Sequence, residues 1–173
     1  MKNKIYKIQG TRSNINWIGR KVTGAHHGSI AIKEGFFIVE DEQLIGGKII
    51  IDMASIKVLD ITDPNTNAQF AGHLASCDFF DLEHYPEAVF EIDAVSGVKV
   101  YGRLTIKDIT KALNCNAQIR CGVDTLTASG KIIVDRTDYG MKFRSGSFFK
   151  DLGDKLIDNL FELNVSLTGE TES

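Results

Sequence analysis

Proline is nearly missing from this sequence, with two residues in 173 against 16 glycines. A chain so poor in proline has few rigid linkers, and its glycines read as turns within a strand-rich unit. Cysteine is scarce as well. Three is an odd count, and Cys115 and Cys121 fall in what reads as one strand, about 20 Å apart and beyond disulfide reach. The expectation is three reduced, mostly buried thiols, as in a reducing compartment. Positive charge is not in excess: 20 Lys and Arg against 23 Asp and Glu leave a net charge of −3, which removes the electrostatic basis for nucleic-acid binding. No apolar run nears the roughly 18 residues that cross a bilayer, so the chain is read as not membrane-spanning. Nor does a hydrophobic signal core follow Met1-Lys2-Asn3-Lys4, which leads straight into Ile5-Tyr6-Lys7-Ile8. As it stands the chain is expected in the cytoplasm, and in the periplasm if a signal has been trimmed from it.

What is present is ordinary for a globular protein: 43% apolar and 25% charged residues, enough to build a core at this length. No repeat, charge block or linker divides residues 1–173, which are read as a single domain. Period-two alternation dominates. In Val98–Lys107 the even positions are apolar or glycine; after a turn at Asp108-Ile109-Thr110, Leu113, Cys115, Ala117, Ile119 and Cys121 face one way. Leu126/Ala128/Gly130/Ile132/Val134 and Phe161/Leu163/Val165/Leu167 repeat the pattern. Upstream, Ile15/Trp17, Ile30/Ile32, Ile49/Ile51/Met53 and Phe90/Ile92/Ala94 belong to further runs. Lys33-Glu34-Gly35, Ser96-Gly97 and Asp124-Thr125 are turn signals between runs. About eight strands with one apolar face each imply an all-β antiparallel meander, and closing it into an extended barrel removes its exposed edges.

One segment departs. After Asp63-Pro64, the spacing of Phe70, Leu74 and Cys77 predicts a short amphipathic helix from Asn67 to about Cys77, capped by Asn65 or Thr66. Asp78-Phe79-Phe80-Asp81 follows it. Such an insertion packs on the outside of a barrel or crosses an open end, where paired aromatics supply an apolar cover.

The chemistry-bearing residues do not assemble into a catalytic pattern. His26-His27, His73 and His84 match no zinc spacing, and neighbours on a strand point to opposite faces, so hydrogen bonding at a loop or rim is the reading for the histidine pair. Ser76-Cys77 and Ser145-Gly146-Ser147 lack a nucleophile-elbow context. Gly46-Gly47 and Gly35 precede no helix and read as bulge or turn positions rather than a phosphate loop. Lys142, Arg144, Lys150 and Lys155 are offset by Asp151, Asp154 and Asp158, as in a solvated loop. Within it, Phe148-Phe149 are either pinned into the core or line an opening. Inward-facing Gly102, Ala117, Ala128 and Gly130 remove side-chain volume and lean toward a cavity; a small barrel can be filled or can hold one ligand.

Four blocks resemble a known family. His73-Leu74-Ala75-Ser76-Cys77-Asp78-Phe79-Phe80-Asp81 through Tyr85-Pro86, running on into Ala88-Val89-Phe90, is similar to the HL-x-S-x-DFFD-x-x-x-YP segment of YceI-like, polyisoprenoid-binding proteins. Gly102–Lys111 resembles their G-x-LTI-x-G-x-TK hairpin, Asp135–Gly140 their R-x-D-[FY]-G turn, and Asp52–Ile56 a strand end. The blocks stand in the family's order. Departures are Phe70-Ala71 in place of an arginine–aspartate pair, Asp108 in place of the hairpin glycine, and a doubled His26-His27. The resemblance implies a lipocalin-like barrel whose interior holds a long isoprenoid or similar fatty amphiphile.

The expected function is therefore non-enzymatic binding, storage or transport of a long-chain apolar lipid, a polyisoprenoid or isoprenoid quinone, with no cofactor and no metal. Trp17, Ile51, Met53, Phe90, Ile92, Leu104, Ala117 and Ile119 are the expected wall, with Phe79 and Phe80 near the mouth. Alternatives are an isomerase- or cyclase-type enzyme in the same cavity, using His26, His27, His73 or His84, and a fully packed structural module. A homodimer is left open.

Overall fold

The computed structural model describes residues 3–172. Its strands are β1 (Asn3–Ile8), β2 (Asn14–Lys21), β3 (Gly24–Glu40), β4 (Gln43–Val58), β5 (Glu87–Ser96), β6 (Lys99–Ile106), β7 (Ile109–Cys121), β8 (Thr125–Asp135) and β9 (Ile157–Thr171). Each pairs antiparallel with its neighbour in sequence from β2 onward, and β9 returns to β1 and β2. β1 and β2 lie on one line between β3 and β9, broken only by the 3-10 turn Gly10–Arg12. Nine strands thus fill eight positions, and the up-and-down meander closes into the expected all-β barrel.

Alternation places the core inside. Val100, Leu104 and Ile106 of β6, Ile49, Ile51 and Met53 of β4, and Leu126, Ala128 and Val134 of β8 are all buried. Parity breaks where the ladder carries an extra residue. Past a bulge at Ile92/Ala94, Ala94 is exposed and Val95 packs on the core instead. Lys33-Glu34-Gly35 is no turn: it is a bulge inside the 17-residue β3, and it moves the buried set from Ile30 to Phe37 and Val39. Gly46-Gly47 sits at another register shift. The β6–β7 turn is tighter than expected, with Lys107 and Asp108 at φ +54° and +61°. The thiols differ from expectation too: Cys77 is exposed, Cys115 and Cys121 half-buried.

Helix α1 spans Pro64–Ala75, three residues earlier than its apolar spacing predicts at the start and two at the end. Its cap is Asp63, whose Oδ2 accepts from the Thr66 N–H at 2.8 Å, with Pro64 in the first turn where its missing N–H costs nothing. Asn65 and Thr66 are inside the helix. Cys77 lies beyond it.

Candidate functional site

The end of the barrel formed by the β2–β3 turn, α1 and the long β8–β9 connection opens on a cavity of about 250 Å³. Its wall is hydrocarbon: Ile15, Ile30, Ile51, Met53, Ala88, Leu104 and Leu163 project from five different barrel strands and from β9. Helix α1 closes over it with Phe70, His73 and Leu74. Phe70 stacks on Trp17 (centroids 6.5 Å, 14°) and meets the His26 ring at 4.7 Å. The insertion therefore crosses the open end of the barrel.

Of the expected wall, Trp17, Ile51, Met53 and Leu104 line this cavity, as do both Phe79 and Phe80. Phe79 is buried against His73 (5.1 Å) and Phe143 (5.8 Å), while Phe80 is half-buried and edge-on to Phe161. Phe90, Ile92, Ala117 and Ile119 stand elsewhere, around a smaller void of about 60 Å³ deeper in the barrel. Phe90 pairs across the sheet with Leu104, so it marks the boundary between the two spaces. Ala117, Ala128 and Gly130 do border the smaller void. Gly102 does not: a Cβ there would lie 2.5 Å from Phe90 Cζ, so the missing side chain is replaced by the phenyl ring.

Charged groups gather at the rim. His26 points inward from β3, its Nδ1 2.8 Å from Asp60 Oδ2, while His27 is exposed and its N–H donates to Asp60 Oδ1 at 3.0 Å. Burial alone would raise the Asp60 pKa, but the bonds from His27 and His26 hold it below the ordinary carboxylate value. Arg136 is buried (4% exposed). Its guanidinium donates to the carbonyls of Asp158 (2.9 Å), Met141 (2.7 Å) and Ile157 (3.0 Å), tying the β8–β9 connection into an arch beside the opening. Burial lowers its pKa, and Asp135 and Asp158 pull in the other direction. Phe148 and Phe149 are neither core nor lining; each is about half exposed, at 50% and 51%.

Phe70, His26, Phe143, Phe161 and Arg136 are lining residues absent from the expected wall. Phe70 was visible in the helix stripe, Phe161 in the β9 alternation and Arg136 in the turn block. Phe143 carries no periodic signal. Among the described residues, no three His, Cys, Asp or Glu side chains converge as a metal would require.

The fold has solved counterparts. It superposes on Burkholderia cenocepacia BcnA with a TM-score of 0.68 at 20% identity, covering 93% of this chain and 98% of that one. A polyisoprenoid binding domain from Saccharophagus degradans, implicated in plant cell wall breakdown, gives a TM-score of 0.70 at 12% identity, covering 96% and 98%. By sequence, the chain is 30% identical over 120 residues to a UPF0312 protein of Pseudomonas putida (strain W619). That alignment takes in 65% of this chain and 60% of the relative's length. The profile of the YceI-like domain matches residues 6–169, nearly the whole barrel from within β1 to within β9, and the chain belongs to the YceI-like family.

Proposed function

We propose that this barrel binds a long-chain apolar lipid, isoprenoid in class, and carries or stores it without transforming it. The observation that supports this best is the cavity itself: hydrocarbon wall, aromatic cover, charged groups at the rim. Each CH₂ taken from water contributes about 0.8 kcal/mol, so a long chain binds tightly with no polar readout along its length. The main cavity is small beside the roughly 300–1,000 Å³ of ordinary ligand sites. A long chain therefore continues past Phe90 into the smaller void, with that ring turning aside. The neighbour from Saccharophagus degradans, described as polyisoprenoid binding, agrees with this chemistry.

The test is to extract the purified protein, identify bound lipid by mass spectrometry, and measure uptake of added isoprenoids of graded length. Ala88 lines the main cavity and Ala117 the smaller void. Ala88→Phe is expected to lower affinity for every length, and Ala117→Phe for the longer chains only. No lipid recovered and none taken up ends the proposal.

A further inference from the structure

Trp17 is 8% exposed. Its indole Nε1 is the one fully buried side-chain nitrogen or oxygen, among the described residues, that has no hydrogen-bond partner. A buried donor left without an acceptor is costly, and native folds rarely keep one without a reason. Trp17 also lines the main cavity, so the unpartnered donor is carried by a side chain that borders the ligand space.

The protein around it offers no substitute. The edge of the indole rests on Gly28, its cross-strand partner in β3; a Cβ there would fall 2.7 Å from Cε2 and Cζ2. On the β9 side its partner is Leu163. Phe70 covers the ring, and the nearby His26 Nδ1 is engaged by Asp60. Of the cationic groups that line the cavity, Arg20 is paired with Glu162 and Arg136 is spent on three carbonyls, while Lys21 and Arg144 are exposed at the rim, Arg144 over the Phe143 ring. A carboxylate or phosphate pressed against Trp17 would be desolvated among Ile15, Leu163 and Phe70. A neutral oxygen would not suffer this.

We propose that the lipid carries a neutral oxygen acceptor of carbonyl type, which takes the Trp17 Nε1–H on binding. The site thereby selects an oxygen-bearing apolar chain over a plain hydrocarbon. This rests on the lipid-binding reading above. Access to the indole comes with α1, which carries Phe70 over the ring and has no fully buried residue of its own, so that the proposed bond forms with an outward shift of the helix.

The experiment compares hexadecane with the methyl ketone of the same carbon number, each displacing an apolar fluorophore from wild type and from Trp17→Phe. The phenyl ring keeps apolar contact but removes ring volume along with the donor; both probes feel the lost volume, so the ratio of their affinities reports the donor. The ketone-to-hydrocarbon affinity ratio is expected to fall about tenfold in the variant, the worth of one buried hydrogen bond; an unchanged ratio overturns the inference. The wild type gives an independent reading, because a single tryptophan yields a single indole N–H resonance. That resonance moves downfield with the ketone and not with hexadecane; equal positions with both overturn the inference even if Trp17→Phe does not fold. Binding of the hydrocarbon without any ketone preference leaves the lipid reading standing and sinks this one. Binding of neither probe overturns both.

Discussion

At the scale of single residues, Phe79 and Phe80 show how adjacent side chains divide structure from ligand contact. Both touch the cavity, yet Phe79 is buried with His73, Phe143 and the Arg136 guanidinium (5.7 Å) around it, whereas Phe80 is half-buried. Phe79→Ala is expected to cost about 3–5 kcal/mol of stability, as for a fully buried aromatic. Phe80→Ala is expected to cost about 1–2 kcal/mol, in line with its partial burial, and to weaken lipid binding more than its stability loss accounts for. Urea melts and lipid titrations on the two variants check this, and equal destabilisation would show that both are plain core. Much of the site at this scale was readable from period two alone: Trp17, Ile51, Met53 and Leu104 face the cavity because every second residue of a strand faces one way. The same rule could not say that Phe90, Ile92, Ala117 and Ile119 border a different space. Depth along a barrel depends on the stagger between strands, which no single strand records. Gly102 misled for a related reason, since its emptiness is filled from the neighbouring strand.

At the scale of elements, α1 and the hairpins carry the testable consequences. The approach to α1 is pinned by Asp60, which holds His26 and the His27 N–H. Its pKa is depressed in the folded state, so its contribution is fully present above the unfolded value of about 3.9 and disappears as pH falls through the lower folded value. Hydrogen exchange of the Trp17 indole beneath Phe70 is expected to quicken below about pH 4 in wild type, and to lose that acid dependence in Asp60→Asn. A pH profile identical in both proteins would show that Asp60 does not hold the cover. The β6–β7 hairpin forces Lys107 and Asp108 into left-handed backbone, the geometry that Asn-Gly fills best. The double change Lys107→Asn, Asp108→Gly is expected to stabilise the fold by about 1 kcal/mol, read as a raised melting temperature; a lowered one would mean that the Lys107 Nζ contact to the Cys77 carbonyl outweighs the backbone strain. Strands and their connections were legible because hydrophobic alternation is local. Bulges at Lys33–Gly35 and Ile92/Ala94 were not, because an unpaired residue exists only relative to the partner strand. The helix start was misplaced for a simpler reason: Asp63-Pro64 is itself the cap and first turn, and the apolar stripe begins a turn later.

At the scale of the whole molecule, burial of two phenols sets an alkaline limit. Tyr6 donates to the Gly122 carbonyl at 2.6 Å across the end of the barrel away from α1, and Tyr139 is buried in the turn after β8. Burial pushes both up to about 12. The unfolded chain releases these protons near pH 10, so stability is intact below that and declines between about pH 10 and 12 as the folded state resists ionisation. Tyrosinate absorbance and far-ultraviolet circular dichroism are expected to change together over that interval; tyrosinate forming well below it with the strands intact would contradict the burial. The order of the strands has a further consequence for how the barrel is made. Because β9 supplies the partner for both β8 and the β1–β2 line, the ring stays open during synthesis until this 15-residue strand, the last of the barrel in chain order, has cleared the exit tunnel. Until then the nascent barrel displays two unsatisfied edges, and a β9 offered by another copy fits there as well as its own. Crowded expression should therefore yield interlocked, strand-exchanged dimers as the characteristic misassembly, and holding the two edges apart until release becomes a task for whatever receives the emerging chain.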